Sequence, residues 1–323
     1  MHDSLLTLAA PAAGLQLLVV TATRLARDAR ERHQLSEGSA AVLAQALAGT
    51  LLLVASEPGD PESARVDVQL ECRGPLRGLL VDADGNGSIR GMVRVSDLDR
   101  AGKRGGEPQA EAPAGPTRFD ARALLEGGLG DEVGMLSILR RQPGGTETEL
   151  HRALVPFAGA DLAAGLTAFL QSDRPGAGHM VAEVLFRGAE PLATVAGALL
   201  GPLDEANEDQ AEAAAKIAKE LRAGGLTRLL QADGAGNAHA LAQRISEVHG
   251  LGPLQLKSEQ RPRFSCRCSR ERLVRALQTL PAPELVDMAE TDGGAEATCD
   301  FCAECYVVTK DELLALAGAG ERV

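Results

Sequence analysis

At 323 residues, with 45% hydrophobic and 24% charged content, the chain is long enough for two or three ordinary globular domains. Its formal charge of −12, from 33 basic and 45 acidic residues, argues against a polyanionic partner over the surface as a whole. With no Trp, one Tyr and six Phe it lacks the aromatics of a base-stacking platform, and Leu, Val, Ile and Ala must fill the core.

The N-terminus, Met1-His2-Asp3, carries no basic segment of the kind that opens an export signal, although Leu5 to Ala13 is small and apolar. A cytoplasmic protein without a membrane segment is expected. Residues 15–23 (LQLLVVTAT) form an apolar, β-branched run that suits a strand, and Arg24 to His33 is charged and helix-compatible. Ser36 offers an N-cap for the next helical segment. From Ala40 to Ala55 apolar residues crowd more than one face, the pattern of a helix buried in a domain core. Its longest apolar run, Leu43 to Ala55, is interrupted by Gln45 and Thr50 and reads as too short to span a bilayer. His33 has no partner at ligand spacing and is read as structural.

Residues 65–95 predict successive antiparallel strands, with turns at Gly74-Pro75 and Asn86-Gly87, the latter a strong hairpin signal. Asp82 to Ile89 matches the start of an EF-hand loop, yet the twelfth position, where a bidentate Glu should close the sphere, is Val93; calcium binding is not expected. Cys72 is read as an ordinary strand-end thiol. The stretch from Ala101 to Arg118 is rich in Gly, Pro and Ala and predicts a flexible surface insertion. Val133 to Arg141 and Glu147 to Phe157 form another strand pair, and Leu162 to Leu170 a helix. The fold class is therefore α+β: a mixed sheet-and-helix core domain over residues 1–185, a helical, metastable linker over 186–258 and a small cysteine-rich C-terminal domain over 259–323.

Within the linker, Asp204 to Glu220 is a good helix by propensity and a poor one by packing. Its apolar positions are mostly Ala, and Glu212 with Lys216 at i,i+4 adds only about 0.2 to 0.5 kcal/mol. It reads either as an exposed amphipathic helix or as a metastable connector held in place by its neighbours. Ala238 to His249 predicts a further helix, capped by Gly250.

Five of the six cysteines fall between residues 266 and 305. Cys266-x-Cys268 and Cys299-x-x-Cys302, separated by thirty residues, read as one four-thiolate site for a single zinc ion in the reduced state, because close pairs supply two soft ligands each. Disulfides and inert buried thiols are the alternatives; a cytoplasmic setting favours the metal. Ser269 is placed to cap a helix carrying Leu273, Leu277 and Leu280, which Pro281 stops, and Pro283 to Ala289 starts a second. Each thiol pair then lies in a loop or turn. Cys305 is an extra thiol of uncertain role, read as a bystander because the other four complete the ligand set. Two functional classes suit these cysteines from spacing alone: a zinc-ribbon nucleic-acid binder, with Arg261, Arg263, Arg267, Arg270, Arg272 and Arg275 nearby, and a thiol oxidoreductase using Cys299 and Cys302. Net acidity disfavours the first, and the lack of a βαβ setting the second.

Phe264-x-Cys266-x-Cys268-Ser269-Arg270-Glu271-Arg272, the thirty-residue gap, and Cys299-x-Phe301-Cys302 followed by Tyr306 resemble the heat-shock protein 33 family of redox-regulated chaperones. Gly74-Pro75-Leu76, Arg90-Gly91, and Phe169 with Ser172-Asp173 resemble that family's core motifs in order. Departures are Met92 in place of an aromatic, Asp173-Arg174 in place of Glu-Gln, the insertion near residue 110, and Cys305. The resemblance implies an ATP-independent holdase and not an enzyme. It implies that Cys266, Cys268, Cys299 and Cys302 bind zinc as thiolates in an inactive form. Oxidation would then pair Cys266 with Cys268 and Cys299 with Cys302, release the zinc, and unfold the C-terminal unit and linker. Unfolding client proteins are the implied partners, with a homodimer on oxidation; membrane and nucleic acid are not.

Overall fold

The computed structural model describes residues 2–59, 63–97, 117–118, 134–144, 147–157, 161–187, 190–204, 207–231 and 236–320. The chain divides into two compact units, Met1–Phe264 and Ser265–Val323. Most of the expected insertion lies outside the described residues.

The first unit opens with two apolar strands, β1 (Leu5–Ala10) and β2 (Leu15–Thr21), then helices α1 (Thr23–His33) and α2 (Glu37–Ala55). Strands β3 (Arg65–Glu71), β4 (Gly78–Asp84) and β5 (Ser88–Val93) come next, then the two-residue β6 (Thr117–Arg118) and the long pair β7 (Gly134–Gly144) and β8 (Glu147–Phe157). After α3 (Leu162–Asp173) come β9 (His179–Arg187) and β10 (Glu190–Pro202), and then helices α4 (Glu208–Glu220), α5 (Leu226–Gln231) and α6 (Ala238–His249). Two short strands, β11 (Gln255–Gln260) and β12 (Arg263–Phe264), close the unit. The strands form two six-stranded sheets, ordered β11-β1-β2-β10-β9-β6 and β12-β5-β4-β3-β7-β8.

Helix α2 lies between them. Every residue from Ser39 to Val54 is buried, because α2 meets β2, β9 and β10 of one sheet and β3, β4 and β5 of the other. That explains an apolar sequence with no polar face. Two of its polar side chains are satisfied by carbonyls: Thr50 Oγ1 donates to that of Ala46 at 2.7 Å and Ser39 Oγ to that of Val95 at 2.8 Å. Gly49 costs about 1 kcal/mol of helix propensity relative to Ala, but a Cβ there would stand 2.6 Å from Leu166 Cδ1 of α3, so its absence sets the helix separation. At 19 residues α2 is long and apolar enough to cross a membrane by length and composition, which corrects the reading of a run too short to do so; 89% of its apolar window is buried inside the protein.

The first sheet is apolar on both faces. Leu18 and Val20 of β2 point towards α2, while Leu15, Leu17 and Val19 point away into a second core closed by α4, α5 and α6. β10 contributes to both, through Val195 and Leu199 on one side and Ala196, Ala198 and Leu200 on the other. Residues 190–202 are thus a central strand, hydrogen-bonded to β2 and β9, and the sheet runs past the expected boundary at 185. Likewise β11 pairs with β1, and β12 with β5, so the chain up to Phe264 belongs to the first unit.

Helix α4 buries only Ala214 and Ala218 among its thirteen residues. A wide turn at Leu221–Gly225, kinked where Gly224 takes a φ of 97°, joins it to α5. Arg222 in that turn stands 3.0 Å from Asp161 Oδ2 and donates to the Met180 carbonyl at 2.6 Å, while its own carbonyl accepts from Arg118 at 3.3 Å. These polar contacts supplement a poor apolar anchor.

Arg118 also reaches Glu183, whose side chain is fully buried, at 2.9 Å. Burial is the larger influence and raises the Glu183 carboxyl to about 7; Arg118 opposes it and Asp161 reinforces it. A carboxyl with a raised folded pKa stabilises the fold below its unfolded value near 4.5, and that contribution is lost as pH rises towards 7. Glu183→Gln is therefore expected to gain about 3 kcal/mol over the parent at pH 8 and nothing at pH 4.5, measured by urea unfolding. A gain that does not change with pH would contradict this.

Candidate metal centre

In the second unit, helix α7 (Arg270–Leu277) is succeeded by α8 (Ala282–Asp287), a hairpin of β13 (Gly294–Thr298) and β14 (Cys305–Thr309), and α9 (Lys310–Gly320). Ser269 caps α7 as its sequence predicts, its Oγ accepting from the Arg272 N–H at 3.3 Å. Thr309 and Glu312 cap α9 reciprocally: Glu312 Oε2 accepts from the Thr309 N–H at 2.8 Å, and Thr309 Oγ1 from the Glu312 N–H at 3.4 Å. Arg270 ties these elements together, with Nη2 donating to both Glu312 carboxylate oxygens at 2.6 and 2.7 Å and Nε to the Val307 carbonyl at 3.1 Å. The apolar core is small. Among the described residues only Leu277, Leu285, Ala289, Val308, Leu313 and Ala317 form its buried cluster.

Cys266 and Cys268 lie in the loop before Ser269, and Cys299 and Cys302 in the loop of the β13–β14 hairpin. That loop is a tight knuckle. The Cys299 N–H donates to the Glu304 carbonyl at 2.9 Å, and the Cys299 carbonyl accepts from Ala303 at 2.8 Å and Cys302 at 3.3 Å. Ala303 takes a left-handed φ of 58°, which turns the chain so that the backbone N–H of Phe301 serves the Cys299 sulfur and that of Glu304 the Cys302 sulfur.

The hairpin brings the two pairs together, with all four sulfurs within 4.8 Å of one another. Cys266 Sγ stands 3.7 Å from Cys299 Sγ, and Cys268 Sγ 3.3 Å from Cys302 Sγ. Sulfurs at the ~2.3 Å bond length of tetrahedral zinc would be spaced by about 3.8 Å, so the donor set fits such an ion with little adjustment. Burial pushes the Cys299 and Cys302 thiols above their usual range, and the crowding of neighbouring sulfurs adds to this at Cys302. Four thiolates here need a cation to offset their mutual repulsion.

Cys305 begins β14, opposite Thr298 of β13, and is exposed; its Sγ donates to Glu296 Oε1 at 3.3 Å. Tyr306 entered the sequence reading only as part of the family resemblance, without a role at the site. Its hydroxyl is 3.1 Å from Cys268 Sγ, and because a metal-bound thiolate has no proton, the phenol must be the donor in that state. Only the recognition of β14 as a strand pairing with β13 would have placed it there. Cys72 belongs to the first unit, beside β3, where burial likewise raises its thiol. His33 meets Phe264 edge-on at 6.3 Å, and Asp82, from the EF-hand-like stretch, is paired with Arg65 and Arg90 at 3.1 and 2.7 Å in a strand.

Fold and site define a protein of two units, the smaller built around four thiols able to hold a metal ion. The family model described as Hsp33 protein matches residues 3–309. A 33 kDa chaperonin of Acaryochloris marina is 33% identical over 316 residues, covering 97% of this chain and 96% of the relative. One from Synechocystis sp. is 32% identical over 323 residues, covering 100% and 98%. The crystal structure of a 33 kDa chaperonin from Thermotoga maritima shares the fold, with a TM-score of 0.76 at 21% identity over the full length of both chains. The chain belongs to the Hsp33 family of chaperones. That family is named for chaperones and not for a reaction.

Proposed function

We propose that this protein is a cytoplasmic, redox-regulated holdase that works without ATP, with Cys266, Cys268, Cys299 and Cys302 as both zinc ligands and switch. The observation that carries the reading is the gathering of four sulfurs within 4.8 Å in a unit with so small an apolar core. A structural zinc there would supply folding energy. In functional terms we divide the chain into a core domain (1–185), a metastable linker (186–258) and a switch (259–323), and the part of the linker able to let go is the helical segment after Pro202.

Two thiols and one hydrogen peroxide give one disulfide and two waters, and a disulfide sulfur is a poor metal ligand. Family resemblance favours pairing Cys266 with Cys268 and Cys299 with Cys302. The short sulfur approaches cross the pairs, but in a four-sulfur cluster every sulfur neighbours the others, so proximity alone selects no pairing. Losing the donor set would unfold the second unit and loosen α4 to α6. Those helices cover Leu6, Leu8, Leu17, Val19, Ala198 and Leu200, an apolar face suited to unfolding clients. A homodimer on oxidation is part of the same reading. Nucleic acid is not: Arg270 and Arg272 of the basic cluster are engaged with Glu312 and with the Arg267 carbonyl at 2.8 Å. The oxidoreductase alternative loses ground because Cys299 and Cys302 sit in a hairpin loop and not at a helix start.

Aggregation of a heat-unfolding test enzyme, monitored by light scattering beside zinc release, tests this. The reduced protein should hold one zinc per chain and leave aggregation unchanged; peroxide-treated protein should release it and suppress aggregation. Equal suppression in both states, or zinc retained after oxidation, would sink the switch. Cys305→Ser should leave the stoichiometry and oxidation rate unchanged.

A further inference from the structure

We propose that the outer edge of β1 is a docking edge for extended segments of unfolding polypeptide, and that β11 is its removable cover. β11 ends the first sheet, paired antiparallel with β1 through Leu5 with Gln260, Leu6 with Glu259 and Thr7 with Ser258, then past an irregularity through Leu8 with Leu256 and Ala9 with Gln255. Its residues from Gln255 to Glu259 are exposed, and none joins a core cluster. Beyond the ladder, Glu259 meets Ser4 Oγ and His239 Nε2, both at 3.2 Å, and Gln260 donates to the Gly85 carbonyl at 2.7 Å. β11 is therefore held largely by backbone, and an edge that binds a strand in this way accepts backbones of unrelated sequence.

β1 differs in kind from its cover. Its sequence, LLTLAA, has no charge and no proline, and Leu5 serves one core while Leu6, Leu8 and Ala10 serve the other. Bared, it would present unpaired N–H and C=O groups between apolar side chains, the features that make an edge recruit another chain. β11 blunts that edge by placing Lys257 and Glu259 in solvent. In sequence, β11 ends six residues before Cys266 and comes after the helices of the linker. On the proposed switch mechanism, on which this inference rests, oxidation loosens the linker helices before β11 and the chain beyond the two-residue β12 after it. The edge and the apolar face beside it then form one surface, matched to the alternating side chains and free backbone of an unfolded client segment.

Hydrogen exchange of full-length protein, read by mass spectrometry over residues 4–10, tests the proposal. The client probe is reduced, carboxymethylated α-lactalbumin, a chain with neither fold nor disulfides, and its binding is read separately by fluorescence anisotropy. Segment 4–10 should be protected in the reduced protein, exchange at least ten-fold faster after peroxide treatment, and regain at least ten-fold protection when the probe binds. Continued protection after oxidation would overturn the cover. A bound probe with 4–10 still exchanging fast would place the client elsewhere, and reprotection by added oxidised protein alone would assign the edge to a second copy; either overturns the proposal. No probe binding in any state would instead count against the holdase reading.

Discussion

Replacing Cys299 and Cys302 together with serine is expected to abolish metal binding and unfold residues 265–320 while leaving α2, β2 and β10 of the first unit folded. A structural zinc site of four thiolates contributes an apparent ~10 to 16 kcal/mol at neutral pH, as much as the whole net stability of an ordinary domain. Among its described residues the second unit has only six in its buried cluster, and the Arg270–Glu312 ion pair lies at the surface, where such pairs contribute little. Nothing else among the described residues of the unit replaces the metal. Hydrogen exchange resolves the outcome by region: amides of α7, α8, β13, β14 and α9 should lose protection, whereas those of α2, β2 and β10 should keep it. A strong chelator at neutral pH should reproduce the pattern in the unsubstituted protein. A serine variant that binds no zinc and still protects α7 to α9 would refute the dependence.

Arg140→Leu should be the most damaging single substitution at a polar position of the first unit. Arg140, on β7, is buried and stands 3.2 Å from Glu57, just past the end of α2, and 2.6 Å from Asp173 at the end of α3. Its guanidinium lies 5.4 Å from the ring centroid of Phe169. The Glu57 side chain is only 1% exposed, so removing the arginine takes a close positive charge from a buried carboxylate. That costs about 3 to 5 kcal/mol, or roughly 10 °C in melting temperature for a unit of this size. Arg140→Leu/Glu57→Leu should recover most of the loss, since a buried pair replaced by apolar groups is often neutral. No recovery in thermal unfolding would mean that shape, and not charge, is what Arg140 provides. The same contact explains one departure from the family pattern: Asp173 stands where a Glu is usual and still supplies the carboxylate, while Arg174 donates to the Ser56 carbonyl at 2.9 Å.

Much of the fold was legible in the sequence, because most elements obey a local rule. The strands β3 to β5 alternate and are joined by glycine turns; α2 is apolar all round because it is surrounded; Ser269 and Gly250 terminate helices as their chemistry predicts. The strands that escaped notice have compositions that speak against them. β10 is rich in Ala and Leu, which favour helix in isolation, and becomes a strand only because β2 and β9 pair with it and α2 packs against it. β11, QLKSEQ, has no apolar period at all and is a strand only because β1 has a free edge. For the same reason the domain borders at 185 and 259, read from composition, differ from where the chain's contacts divide. At the site, spacing alone identified the four cysteines. The phenol of Tyr306 was hidden because it depends on which strand β13 pairs with.

The order of strands in the first sheet also governs how the protein is made. The second sheet joins β3, β4, β5, β7 and β8, all within residues 65–157, and needs only its final parallel strand from later. The first sheet pairs strands from the beginning of the chain with strands beyond residue 179, a high contact order that slows closure. On a ribosome adding about 5 to 20 residues per second, β1 and β2 emerge roughly 8 to 30 seconds before β9 and β10 can reach them. During that interval the nascent chain carries two apolar strands that β9 and β10 have yet to cover, so a member of a chaperone family has its own exposed surface to shield as it is born.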